Sequence, residues 1–200
     1  MSNERMNFQI ALETVLTRLK TELPDDLTYH HAGHTEDVIQ CSERLARAEG
    51  VSEGDIILIK TAALLHDSGF LYNYKNHEEN SVIYAREILP ELGYGQLEID
   101  QISEMIMATR VPQSPKSKLG KILCDADLDY LGREDYYPVA YGLFLEFKKY
   151  GILQTDEEWL KIQIRFLESH HYFTETSIIE RTVSKQAVLF ALKARAEAAS

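Results

Sequence analysis

His66 and Asp67, an imidazole beside a carboxylate, close an almost unbroken apolar run, Ile56-Ile57-Leu58-Ile59 and Ala62-Ala63-Leu64-Leu65. A segment that apolar belongs in a protein interior, where an ionisable pair is costly unless its charge is compensated. A divalent cation compensates it, and the chain offers matching donors. Tyr29-His30-His31-Ala32-Gly33-His34-Thr35 lies upstream, and Cys124-Asp125-Ala126-Asp127 lies downstream. His30 and His34 are four apart, so on a helix or its first turn they face the same way. Asp125 and Asp127 are two apart and diverge on a helix, so only one is expected as a ligand. Two imidazoles with one or two carboxylates suit Mn, Zn, Fe, Co or Ni, with Mg as the remaining choice, better than Ca, which takes oxygen alone. With water in the open positions such a site hydrolyses, because the ion lowers the pKa of bound water and polarises a phosphoryl oxygen.

These residues must be carried by helices. Apolar positions recur with helical spacing and strand-like alternation is almost absent, so the expected fold class is all-α, a compact helical bundle in a single domain spanning 1–200. Helices are expected over about 4–23, 34–50, 52–69, 78–89, 97–109, 119–131, 137–150, 155–170 and from 176 into the Ala-rich tail. Pro24 and Pro90 end two of them, and Pro112 follows a third. The chemistry then sits in a core of about 29–132, against which helices over about 137–198 pack. His170-His171, at the end of the eighth helix, reads as a pair whose positive charge suits the helix dipole. His31 reads as a solvated neighbour of the site, and Tyr136, Tyr137, Tyr141 and Tyr150 as core or interface.

The 200 residues carry a formal net charge of -11, and 44% are hydrophobic. That acidity disfavours nucleic-acid polymers and anionic membranes as partners. It leaves room for a small phosphorylated substrate, for which Arg110, Lys116 and Lys118 are the basic candidates. Lys60 and Asp67 interrupt the most apolar stretch, so no run is long enough to cross a bilayer. Cys41 and Cys124 lie in apolar helical contexts and are expected as buried free thiols, which suggests a reducing cytoplasm. The opening residues Met1-Ser2-Asn3-Glu4-Arg5 lack the apolar core of a signal peptide, so a cytoplasmic location is expected. The oligomeric state is left open.

The order His34, His66-Asp67, Asp127 resembles the HD superfamily of metal-dependent phosphohydrolases, named for that dipeptide. The stretch Thr28 to Val38 is also similar to the Tyr-His-Asn-x-x-His-x-x-Asp-Val stretch of cyclic-nucleotide phosphodiesterases, which belong to the same superfamily. The resemblance runs from about Tyr29 to Gly132. It implies that His34, His66, Asp67 and Asp127 hold a divalent metal, with Asp125 behind them as support. It further implies that His30 protonates the leaving oxygen, that Asp67 or Asp127 helps orient the attacking water, and that the substrate is a small, nucleotide-like phosphomonoester or phosphodiester. Many members bind a second metal through extra histidines. Here His77 is available, but Met105 to Arg110 contains none, so one metal is expected, with His77 and Arg110 as substrate contacts. Members that cleave nucleoside monophosphates often carry a Glu soon after the pair; this chain reads Ser68-Gly69-Phe70-Leu71. A catalytically silent metal- or nucleotide-binding module is the alternative reading. A paired-iron oxygenase needs more histidine ligands than this sequence offers.

Overall fold

In the computed structural model, which describes residues 6–198, the chain runs α1 (Phe8–Glu22), α2 (Ala32–Ala48), α3 (Glu53–Leu65), α4 (His77–Ile88), α5 (Gln96–Ala108), α6 (Lys118–Asp127), α7 (Tyr136–Lys149), α8 (Asp156–Ser169) and α9 (Glu175–Ala198). No strand occurs among the described residues. The fold is all-α, as the periodicity indicates. The expected start of the first helix near Glu4 lies outside the described residues; the helix is seen from Phe8, after Asn7 caps it through Ile10 N.

The apolar α3 is the central element. It packs among α1, α2, α5 and α6, with Ile59, Ala62, Ala63, Leu64 and Leu65 fully buried. Removing that surface from water supplies the drive for this half of the molecule, at ~25 cal/mol per Å². A second cluster gathers α7, α8 and α9 around Tyr29, Leu128, Tyr130 and Leu131. The candidate site lies where the two clusters meet.

Two helices end earlier than their sequence pattern suggests, and both ends bear on the site. α3 stops at Leu65 and is followed by a 3-10 turn, Ser68–Leu71. Side chains collect the backbone groups that a continuing helix would have used. The Ser68 hydroxyl donates to Leu65 O, and the Ser81 hydroxyl donates to His66 O and accepts from Gly69 N. α6 stops at Asp127, before a 3-10 turn over Asp129–Gly132. Asp129 is buried there and accepts from Arg181 (2.8 Å) and Arg44 (3.3 Å), so its charge is paired.

The end of α8 corrects another expectation. His170 is half-buried, and the partial loss of solvent together with the neighbouring Lys185 pushes its pKa down to about 3, so it is neutral. The cation at this helix end is Lys185 of α9, whose ammonium donates to Leu167 O (3.3 Å) and His170 O. Cys41 and Cys124 are both free and buried.

Gly69 sets the spacing between the turn after α3 and the start of α4. A Cβ there would lie 1.9 Å from His77 O and 2.8 Å from Ser81 N, both backbone atoms. Gly69→Ala is therefore expected to lower stability by about 3 kcal/mol or more, since the overlap is relieved only by shifting α4. A urea unfolding midpoint measures it; a loss within ~0.5 kcal/mol would show that α4 moves freely.

Candidate metal centre

His34 stands in the first turn of α2, placed there by His31. The His31 ring is the helix cap: its Nδ1 accepts from Gly33 N (3.0 Å) and His34 N (3.3 Å). His31 is exposed, as expected of a solvated neighbour, and it also caps the helix. His66 follows α3 and is almost completely buried. Its Nδ1 lies 2.8 Å from Ala63 O, which can only accept, so Nδ1 keeps its proton and Nε2 is the atom left to face a cation. Asp127 is the last residue of α6, and the early end of that helix brings its carboxylate to the two imidazoles.

The donor atoms converge. His34 Nε2 and His66 Nε2 are 3.4 Å apart. Asp127 Oδ1 is 3.1 Å from the first and 3.5 Å from the second. His34, His66 and Asp127 each offer one ligand atom, and these atoms lie within 4.8 Å of one another. Asp67 Oδ2 lies beside the two imidazoles, 3.5 Å from His34 Nε2 and 3.1 Å from His66 Nε2. That oxygen is buried and makes no hydrogen bond among the described residues.

This arrangement fits a divalent cation. Ligands sharing one ion at about 2.1 Å sit ~3.0–3.4 Å from one another, close to the spacings here. The electrostatics agree. Burial would drive Asp127 towards its neutral form, yet the bonds to His34 and His66 outweigh it and hold its pKa at about 2. Burial opposes ionisation of Asp67 as well, and the charge of His66 beside it keeps its pKa well below the ordinary value. Burial favours a neutral His66, and Asp67 and Asp127 push its pKa well above the ordinary value. Two buried carboxylates held ionised and an imidazole drawn towards protonation describe a place that calls for positive charge.

His30 sits beside this group without joining it. It precedes α2 rather than lying on it, and its ring centroid is 6.2 Å from that of His34. Its Nδ1 is 2.5 Å from Glu146 Oε1. Glu146, on α7, is fully buried and accepts from Tyr29 N (3.0 Å), His30 N (3.1 Å) and the Tyr74 hydroxyl (3.0 Å). Burial favours the neutral His30 ring, but the bond to Glu146 and the charge of Asp67 prevail, so its pKa is raised. Glu146 escapes sequence reading because no motif surrounds it. Its one trace is a carboxylate inside the apolar stretch Leu143-Phe144-Leu145-Glu146-Phe147.

The other expected site residues divide. His77 opens α4 with Nε2 3.6 Å from Asp67 Oδ1 and 3.5 Å from Glu78 Oε1, and it lines the same cavity as His30, Asp67 and Asp127. Phe70 lies between the rings of His30 (4.4 Å) and His77 (4.1 Å). Arg110 does not line that cavity; its guanidinium is engaged by Glu78 and Glu79. Asp125 faces away from the imidazoles. It accepts from Phe173 N (2.9 Å), Thr174 N (2.8 Å) and the Thr174 hydroxyl (2.6 Å), tying the segment before α9 to α6. Lys118 donates to Glu49 O at the surface. The cavity measures about 470 Å³, and α7 and α8 form its far wall.

Residues 32–129 match the model of the HD domain family. The crystal structure of a predicted HD superfamily hydrolase from an uncultured Thermotogales bacterium superposes with a TM-score of 0.59 at 23% identity, over 92% of this chain and 87% of that one. That likeness is one of fold. No curated protein matches the chain. Among the described residues no helix is long and apolar enough to cross a membrane.

Proposed function

The chain carries an HD domain, and from that premise we propose that it is a metal-dependent phosphohydrolase acting on a small phosphomonoester or phosphodiester. The observation that supports this reading most is the convergence of His34, His66 and Asp127 donor atoms, with Asp67 Oδ2 against the two imidazoles, beside a histidine, His30, that a buried carboxylate orients.

Those four residues would hold the ion, which supplies Lewis acidity towards a phosphoryl oxygen and makes water nucleophilic near neutral pH. The remaining steps belong to the chain. Asp67 turns Oδ2 to the two imidazoles, which leaves Oδ1 to accept a hydrogen bond from the attacking water and align it. His77, near that same Oδ1, offers a donor to a phosphoryl oxygen. His30 carries the proton for the leaving oxygen on Nε2, because Nδ1 is held by Glu146. Glu146 fixes the ring and stabilises its protonated form, the usual part of a carboxylate behind a catalytic imidazole. The mixed nitrogen and oxygen set suits Mn, Zn, Fe, Co or Ni.

The test is elemental analysis of protein purified without chelator and then reconstituted, followed by a panel of phosphatase and phosphodiesterase substrates. About one equivalent of a divalent ion and turnover of at least one phosphoester are expected. Less than about a tenth of an equivalent would remove the metal reading. Two equivalents would place a second ion near His77. A loaded protein that hydrolyses nothing would instead be a binding module.

A further inference from the structure

The ends of the 470 Å³ cavity differ in chemistry. One end holds His30, Asp67, His77 and Asp127. The other is built by α7, the segment after it and α8, from Leu143, Phe147, Ile152, Trp159, Ile162 and Phe166. Among the described residues that line the cavity there is no lysine and no arginine. Tyr74, Tyr130, Tyr136 and Gln163 also line the cavity; the Tyr74 hydroxyl donates to Glu146 (3.0 Å) and the Tyr136 hydroxyl to the Gln163 carbonyl oxygen (2.9 Å).

Resting on the phosphohydrolase reading above, we propose that the substrate is a phosphoester of an apolar alcohol or phenol, its hydrocarbon part occupying the α7–α8 chamber. A phosphoryl group needs only the polar end, whereas the whole space has the volume of a site for a small organic ligand. A polyphosphate tail would enter the chamber with no cation to meet it. A nucleobase would set most of its donors and acceptors against the carbon of Leu143, Phe147, Ile152, Trp159, Ile162 and Phe166, at ~1–3 kcal/mol for each left unpaired. A hydrocarbon chain or ring incurs neither cost and gains with every methylene removed from water. In hydrolysis the bond from phosphorus to the ester oxygen breaks and the oxygen of water joins phosphorus. The released alcohol takes up the proton from His30, and the proton lost by water goes to solvent.

Trp159 is the one tryptophan of the chain and lines this chamber, so its emission reports occupancy independently of turnover. The experiment titrates the purified full-length protein with n-alkylphosphonates from methyl to octyl, and with adenosine monophosphate. It follows Trp159 fluorescence and calorimetric affinity. Affinity is expected to rise about fourfold per methylene until the chamber is full, with a shift of Trp159 emission, and the longer phosphonates should bind more tightly than the nucleotide. Phe147→Ser and Ile162→Ser should each flatten the dependence on chain length. They are compared only where far-UV circular dichroism matches the parent; where it does not, the parent series alone decides. No dependence on chain length, no change in Trp159 emission, or tighter binding of adenosine monophosphate overturns the proposal. A clear chain-length dependence without hydrolysis of any phosphoester keeps the apolar chamber and removes the hydrolase reading. Hydrolysis without chain-length dependence does the reverse.

Discussion

Replacing His66 or Asp67 with alanine is expected to abolish metal binding and with it hydrolysis, by more than about 10³-fold. His66 Nε2 is one of three converging donors, Asp67 Oδ2 lies against the imidazoles, and each is within 3.5 Å of His34 Nε2. With either gone, the remaining donors no longer close around an ion. The loss is visible without any substrate. An ion present at a hundred times its Kd stabilises the parent by about 2.7 kcal/mol, a gain that a protein unable to bind it does not have. The parent should therefore melt several degrees higher with added Mn or Zn, and His66→Ala and Asp67→Ala should not respond. Chelator-treated parent should lose that increment and regain it when the ion is restored. An unchanged metal content and an undiminished thermal response in both variants would show that the ligands have been assigned wrongly.

The second large effect concerns His30 and Glu146. His30→Ala should keep the metal and the fold while slowing esters with poor leaving groups by roughly 10²–10⁴-fold, the usual size of a general-acid contribution. Esters of a nitrophenol leave without needing a proton and should be much less affected. Loss of mere positioning would slow both kinds alike, so equal losses, or loss of metal, would take the acid role from His30. Glu146→Gln adds a control from the other side of the hydrogen bond. An amide facing Nδ1 no longer favours the proton there, and replacing a carboxylate that sets an imidazole tautomer costs up to ~10⁴-fold. The direction of the pH effect follows. Burial favours a neutral His30, and the bond to Glu146 with the charge of Asp67 outweighs it, so the folded pKa is raised. Turnover of poor leaving groups should then decline as pH rises through that raised value. Glu146→Gln should move this alkaline limb to lower pH and leave nitrophenyl esters without it. A pH–rate profile for each ester class measures both.

The boundary between what is written locally and what is assembled at a distance runs through the site itself. The helices are legible because period-3.6 patterning, starts such as Ser52 and Thr155, and breakers such as Pro24 are local properties. His34, His66-Asp67 and Asp127 stand out for a related reason: ionisable groups interrupt apolar helices at places where burial would otherwise be costly. What the sequence does not carry is any signal that spans the chain. Glu146 lies 116 residues from His30 and meets it only when α7 folds over the start of α2. Arg110 looks available until α4 presents Glu78 and Glu79 to it. Asp125 and Asp127 look alike until α6 stops and sends one carboxylate to the imidazoles and the other to Thr174. The helix end at Leu65 depends on the Ser81 hydroxyl, which captures backbone groups a longer helix would have used, and the turn after Asp127 is held by Arg44 and Arg181 on the Asp129 carboxylate, all side chains from other elements. The chamber beside the metal centre is the clearest case. Leu143, Phe147, Trp159 and Ile162 read one by one as ordinary core positions of two helices. Only the tertiary arrangement decides that they line space instead of filling it, because a cavity belongs to the packing of several helices and not to the pattern of any one.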